Sequence, residues 1–237
     1  SSDLVMAAAF EWHNYGQSTI GNQADIMRVP VDRLRKFYER FYQPDNAMLV
    51  VAGRFENAKA LELIQRFFGT LPRPARELDR TYTEEPAQDG ERTVTVRRVG
   101  DVPSAALLYH IPAGPHPDYA ALDVLATVLA SEPAGRLYEG LVRRRLAASL
   151  YGFSFALHDP GALMFGADAA EGTDGATLLQ SLVEAVETTA ERAFTAEEIE
   201  RARAELLKQR ELQMRSEEHT SELQSRQYLV CRLLLEK

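Results

Sequence analysis

The sequence predicts an α+β fold, with antiparallel or mixed sheets covered by helices on one side. Three observations carry that expectation. Between Ile111 and Phe155 the apolar residues recur first at helical spacing, as Tyr119, Leu122, Leu125, Leu129 and then Leu137 and Leu141, and afterwards on every second residue, as Tyr151, Phe153 and Phe155. A period that drops from about 3.6 to 2 marks a passage from helix to strand. Residues 31–69 read as helix, strand, helix, and from Thr93 the order is β-β-α-α-β-β-α-α. Strands that come in adjacent pairs point to α+β rather than to a parallel α/β sheet.

Taken in order, the first part of residues 1–27 suits the tail of a helix, and Trp12 to Gly16 reads as a turn. Val31 to Tyr42 is predicted as a helix because Leu34, Phe37, Tyr38 and Phe41 share one face while Asp32, Arg33, Arg35, Lys36, Glu39 and Arg40 take the other; Pro44 stops it. Ala47 to Ala52 is a short, partly β-branched apolar run ended by Gly53, expected to be a buried strand. A helix from about Asn57 turns Leu61, Ile64, Phe67 and Phe68 inward and stops at Gly69. Residues 72–92 are rich in proline and charge and poor in large apolar side chains, the composition of an interdomain linker.

The second unit, residues 93–214, opens with expected strands at Thr93 to Arg97 and Ser104 to Ile111. Two helices follow, then a strand from Leu150 to Leu157, a turn at His158-Asp159-Pro160-Gly161 and a return strand from Ala162 to Ala169. Leu178, Leu179, Leu182, Val183 and Val186 mark a helix reaching about Arg192. Thr195 with Glu198 forms a capping box that opens a last helix from Ala196 to Gln213.

Composition narrows the function. At 237 residues, 45% apolar and 26% charged, the chain is an ordinary globular one of one or two domains. A net charge of -8 argues against a nucleic-acid partner, since counterion release needs a basic face. No run of about 18 uncharged apolar residues exists, so no membrane-crossing helix is predicted. A single cysteine, Cys231, gives neither a disulfide framework nor a cysteine zinc site. His13, His110, His116 and His158 are isolated, with no partner at i+3 or i+4, and read as structural or solvated, so no metal site is expected in this chain. Neither a phosphate-binding glycine loop nor a recognisable nucleophile triad is present.

Several segments, in order, carry a family resemblance. His13-Asn14-Tyr15-Gly16, then Ile20-Gly21 and Asp25-Ile26, resembles the H-P-Y-G, I-G and D-I segment of the pitrilysin/insulinase family of zinc metallopeptidases, with Asn14 in the place of proline. Residues 37–53, F-Y-x-x-F-Y-x-P-x-N-A-x-L-V-V-x-G, are the strongest local match. Gly135-Arg136-Leu137-Tyr138, Leu141-Val142, the basic run Arg143-Arg144-Arg145 and the strand after it resemble the family's second subdomain.

The resemblance spans about residues 10–213 and implies a peptidase fragment. Residues 1–71 would be the C-terminal part of a first subdomain, 72–92 the linker and 93–214 a truncated second subdomain. The family hydrolyses peptides enclosed between two homologous halves, with zinc held by an inverted H-x-x-E-H motif. That motif is absent here, so the catalytic and metal residues are expected upstream of Ser1 and the fragment itself is expected to be inactive. The alternative is a non-catalytic partner or scaffold half that binds the substrate or the catalytic subunit. The implied partners are a peptide and a second half, fused or separate, and the implied setting is bacterial, periplasmic or cytoplasmic.

In two-part family members the non-metal half offers an arginine and a tyrosine, seven apart, to the substrate carbonyl. Arg144 and Tyr151 have that spacing and chemistry, although aligning Leu141 with the family's leucine puts Val142 and Ser149 at those positions instead. Finally, Arg215 to Ser225, RSEEHTSELQS, resembles the in-frame translation of a common sequencing adapter. Residues 215–237 are therefore expected to be a non-biological tail, which removes His219 and Cys231 from any site. The truncation is expected to leave apolar surface exposed at both ends.

Overall fold

The computed structural model describes residues 2–78, 83–97, 99–100 and 102–213, so the adapter-like tail lies outside the described residues. The chain divides into two compact units: residues 2–18, which include α1 (Ser2–Ala9), group with 83–210, and residues 19–78 with 211–213 are the described part of the other. Each is α+β or helical in the order the sequence suggests, but the segment before Ser18 groups with the second unit rather than with residues 19–71.

The larger unit is built on a three-stranded antiparallel sheet of β1 (Ser104–Ile111), β2 (Ala147–Ser154) and β3 (Gly161–Ala169), in the order β1-β3-β2. Leu108 of β1 and Phe153 of β2 both lie opposite Met164, and Tyr151 lies opposite Gly166. Residues alternate across the sheet. Leu163, Phe165, Ala167 and Ala169 of β3 therefore face one way, into a core with Leu129 of α5 (Tyr119–Ala130) and Leu178 and Leu182 of α6 (Gly175–Glu187). Phe165, Leu178 and Leu182 are fully buried at 0% exposure. The Ala- and Leu-rich sequence of α5 favours helix intrinsically. The start of α6 is fixed by Asp174, whose side chain accepts the N–H groups of Ala176 and Thr177 at 2.9 and 3.0 Å.

Between α5 and β2 the expected amphipathic helix forms as a short one, residues 136–142, most of it a π-helical stretch at Tyr138–Val142. Its Leu137 and Leu141 nevertheless enter the core at 1% exposure each. Thr93 to Arg97 forms no strand, and Val94 and Val96 stay exposed. Alternation prepares a strand, but without a neighbour its backbone groups have no ladder to join.

The other unit shows the same distinction. α2 (Gln23–Arg28) is capped by Asn22, whose side chain accepts the Ala24 N–H at 2.7 Å. α3 (Val31–Phe41) and α4 (Asn57–Phe68) form where the periodicity puts them, and Gly69 ends α4. The expected buried strand at Ala47 to Ala52 does not form: Leu49, Val50 and Val51 are 52%, 74% and 46% exposed. The inward faces expected of the helices are open as well, with Phe37 and Leu61 at 56% and 65%. The 3.6-residue pattern specifies the helix, while burial of its face needs a sheet that this unit's described residues do not supply.

The last helix, α7 (residues 196–213), is held at its start by the Arg136–Glu198 ion pair and near its end by Arg210, 3.3 Å from Asp123 of α5. Arg136 donates Nε to Glu198 Oε1 at 2.8 Å and Nη2 to Oε2 at 2.9 Å, and gives Nη1 and the second Nη2 N–H to the carbonyls of Arg192 and Ala193. Its guanidinium stacks on Phe194 at 4.1 Å. The capping box forms as expected: Glu198 Oε2 accepts the Thr195 N–H at 2.8 Å, and Thr195 Oγ1 accepts the Glu198 N–H at 3.2 Å. Arg136 first, and then the Thr195 N–H, hold the Glu198 carboxyl well below the usual carboxylate range.

A depressed pKa in the folded state contributes stability that is complete above the unfolded carboxylate pKa, about 4.3 for glutamate, and is lost as pH falls through the folded value. Arg136→Ala is expected to destabilise the full chain by about 2–3 kcal/mol at neutral pH. Glu198→Gln keeps the box but flattens the loss of stability below about pH 4.3. Urea melts at pH 7 and at acid pH check both.

Candidate substrate-facing site

Helices α5 and α6 cover one face of the sheet. On the other face β2 presents Ser149, Tyr151 and Phe153, opposite Asp168, Gly166 and Met164 of β3. This arrangement depends on a β-bulge: the register slips between Ala147 and Ser149. The extra residue lets Ala147 and Leu150 both enter the core while Ser149 and Tyr151 both face away from it. Ser149 and Tyr151, the residues picked out by the two alternative alignments with the family, therefore lie two residues apart on one face.

Tyr151 is half-buried, with its ring laid across Gly166, where a Cβ would collide with it. Glycine at 166 is thus a close-approach position, and Tyr151 supplies the cover that the missing side chain cannot. The ring stacks on Phe153 at 5.9 Å and 21°, and Phe153 meets Phe155 edge-on at 4.9 Å. Beside this aromatic row, Asp168 accepts hydrogen bonds from Ser104 Oγ at 2.6 Å and Ser149 Oγ at 2.8 Å. Those hydroxyls, Ser104 first, hold its carboxyl below the ordinary range. Neither the trio nor the bulge was visible as a pattern, because residues 104, 149 and 168 meet only through strand register.

Arg144 is exposed in the turn between Val142 and β2, and among the described residues it forms no ion pair. The structure therefore brings Tyr151 to the open face and leaves Arg144 on the rim, with no hydrogen bond joining them. Val142 packs against the core, so its side chain cannot serve a substrate carbonyl. The turn itself is a Schellman motif, in which the Leu146 N–H reaches the Leu141 carbonyl at 2.9 Å and the Arg145 N–H reaches that of Val142 at 2.9 Å. Arg145 occupies its left-handed position at φ 59, which glycine would take without steric cost. Arg143 pairs with Glu139 at 3.1 Å, and basic residues at this helix end are favoured by its dipole.

Two of the described histidines meet at one carboxylate and two stand apart. His110 Nε2 lies 3.2 Å from the Ala9 carbonyl, His116 Nδ1 accepts the Asp118 N–H, and His13 and His158 flank Asp159. Among the described residues no group of three or more His, Cys, Asp or Glu side chains could hold a metal ion. In the smaller unit, an apolar groove of 380 Å³ lies between Leu49, Val51 and Phe55 and the α4 residues Leu63, Ile64 and Phe67. No helix among the described residues is long and apolar enough to cross a membrane.

Residues 28–206 match the family described as the peptidase M16 inactive domain. Zinc protease PqqE of Helicobacter pylori is 30% identical over 196 residues, which are 81% of this chain and 44% of that protein. The crystal structure of a protease from Helicobacter pylori superposes with a TM-score of 0.78 at 28% identity, over 86% of this chain and 50% of the other. The periplasmic protease PqqL from Escherichia coli shares the fold, with a TM-score of 0.63 at 22% identity, over 82% of this chain and 22% of that one. The chain thus spans less than half the length of PqqE.

Arg145→Gly is expected to stabilise the chain by about 1 kcal/mol, because the left-handed conformation costs a side chain roughly that much. An unchanged denaturation midpoint would show that the turn is not strained.

Proposed function

The chain belongs to the M16 peptidase family, whose inactive domain it matches, and from that premise we propose that it serves as the non-catalytic half of a zinc-dependent endopeptidase. One observation carries the reading. A sheet covered by α5 and α6 on one face presents Tyr151, Phe153 and the Ser149–Asp168–Ser104 group on the other. Such a face can line one wall around an extended peptide without doing the bond-breaking chemistry.

Zinc held by the other half would supply the polarised water that attacks the peptide carbonyl. The residues of this chain bind and orient. The Tyr151 phenol can donate to a carbonyl oxygen as negative charge develops on it, a role in which one donor contributes about 10²–10³-fold when fully aligned. Arg144, on the rim, adds a mobile cation. Phe153 offers an apolar surface to substrate side chains. The partners are then a peptide and a metal-binding half, fused or separate. The open faces of α3 and α4 and the groove beside Leu63 are where the remainder of a first subdomain packs. The relatives are bacterial, and the periplasm assigned to PqqL is the compartment we favour, with the cytoplasm as the alternative.

A second reading rests on the alignment that places Val142 and Ser149 at the carbonyl-holding positions. Val142 is part of the core packing and Ser149 is engaged with Asp168, so on that reading the chain is a scaffold that binds its partner half and leaves substrate contact to others.

The test combines the chain with a metal-binding half and follows cleavage of a quenched fluorescent peptide. On the first reading the chain alone shows no chelator-sensitive cleavage, and Tyr151→Phe, which keeps the cover over Gly166, lowers kcat/KM of the complex about 10-fold or more, with Arg144→Ala giving a smaller loss mainly in KM. Unchanged turnover in both variants, with intact assembly, selects the scaffold reading. Chelator-sensitive cleavage by the chain alone overturns both.

A further inference from the structure

The segment His13-Asn14-Tyr15-Gly16 is left unused by the reading above, although its residues are among the most tightly placed outside the core. His13 is 8% exposed, the one buried polar residue among those described. Its Nδ1 accepts the Tyr15 N–H at 3.2 Å, which leaves the proton of a neutral ring on Nε2, 3.3 Å from Asp159 Oδ2. Tyr15 approaches the same residue from its backbone side, where its hydroxyl oxygen accepts the Asp159 N–H at 3.1 Å. Gly16 permits the return of the chain, because a Cβ there would collide with the Phe10 carbonyl oxygen. Phe10, 3% exposed, seats the group by meeting His110 edge-on at 4.7 Å and Tyr15 at 5.7 Å. Asn14, in the place of the family's proline, is exposed.

The same stretch is gripped from the linker. Glu85 accepts three consecutive N–H groups, from Glu11 at 2.7 Å, Trp12 at 2.9 Å and His13 at 2.8 Å. Burial alone would raise the Glu85 carboxyl, but the His13, Glu11 and Trp12 N–H groups together pull it below the ordinary range. Arg92 adds an ion pair to Glu11 at 3.1 Å.

We propose that His13-x-Tyr15-Gly16 is a docking clasp: His13 and Tyr15 read Asp159 in the β2–β3 turn through its carboxylate and its N–H, while Glu85 of the linker ties down the backbone leading into the motif. The chain leaves the larger unit after Ser18 and re-enters it at Thr83, so the clasp and Glu85 join the outgoing and returning segments at one base. That base is also attached to the hairpin whose first strand carries Tyr151. Asp159 and Glu85 are positioning residues in this account, and neither needs to touch a substrate. The proposal stands whether or not the chain contacts a peptide, since its test reads structure rather than turnover.

Two measurements on the full chain decide it. Nitrogen-15 NMR of the wild-type imidazoles is expected to show His13 with Nδ1 unprotonated and Nε2 protonated at neutral pH; a His13 in the opposite tautomer, or averaged like a free imidazole, overturns the clasp without any mutation. In hydrogen exchange, Glu85→Gln, which turns an amide donor toward backbone donors, is expected to speed exchange at residues 11–13 at least about 10-fold. Asp159→Ala frees the His13 ring that accepts the Tyr15 N–H and so does the same at Tyr15, and the β1 and β3 amides stay protected in both variants. Unchanged exchange at residues 11–15 in the two variants overturns the proposal. Global loss of protection leaves the wild-type tautomer as the deciding result.

Discussion

The larger unit depends on the burial of β3 from both sides. Ala162, Met164 and Phe165 are all at 0% exposure, which requires a strand paired on both edges, helices packed on one face and cover on the other. Phe165 and Ala167 meet the helices, and their burial brings α5 and α6 onto the sheet. On the opposite face Gly166 has no side chain, so Tyr151 from β2 must lie across it. The residue that supplies the cover is thereby also the one presented to whatever occupies that face. Packing and candidate function meet in a single ring, which is why Tyr151→Phe and not Tyr151→Ala separates them.

Around this sheet the irregular segments are held by carboxylates that accept several donors at once. Glu198 takes Arg136 and the capping-box donors of Thr195, Glu85 takes three backbone N–H groups and Asp168 takes two hydroxyls. In each case the negative charge is stabilised by directed hydrogen bonds, and the carboxyl sits below its ordinary pKa. Acidic groups held firmly ionised are suited to positioning, whereas a general acid must release a proton near the working pH.

Much of the architecture was legible from periodicity. β1 falls at Ser104–Ile111, the last helix at residues 196–213 and its Thr195–Glu198 box forms as the pattern predicts, because each signal is local. What failed is not local. Ala47 to Ala52 and Thr93 to Arg97 have strand patterns but no partner strand, and a strand is a property of the pair. The bulge between Ala147 and Ser149, which selects the residues of β2 that share the open face, follows from register against β3 and leaves no trace in composition. The clasp residues His13 and Asp159 are 146 positions apart, so the H-x-Y-G pattern could be recognised as a resemblance, but its partner could not be named until the hairpin turn was in place.

The central claim, that this chain presents a surface while another half holds the metal, is tested most directly by counting zinc. Native mass spectrometry of the chelator-treated full chain, then re-exposed to zinc alone and in complex with a metal-binding half, separates the possibilities. The account predicts no stoichiometric zinc on the chain alone and one ion per complex, bound by the other half. One tightly held zinc on the chain by itself would contradict it and would require ligands that the described histidines and carboxylates do not bring together.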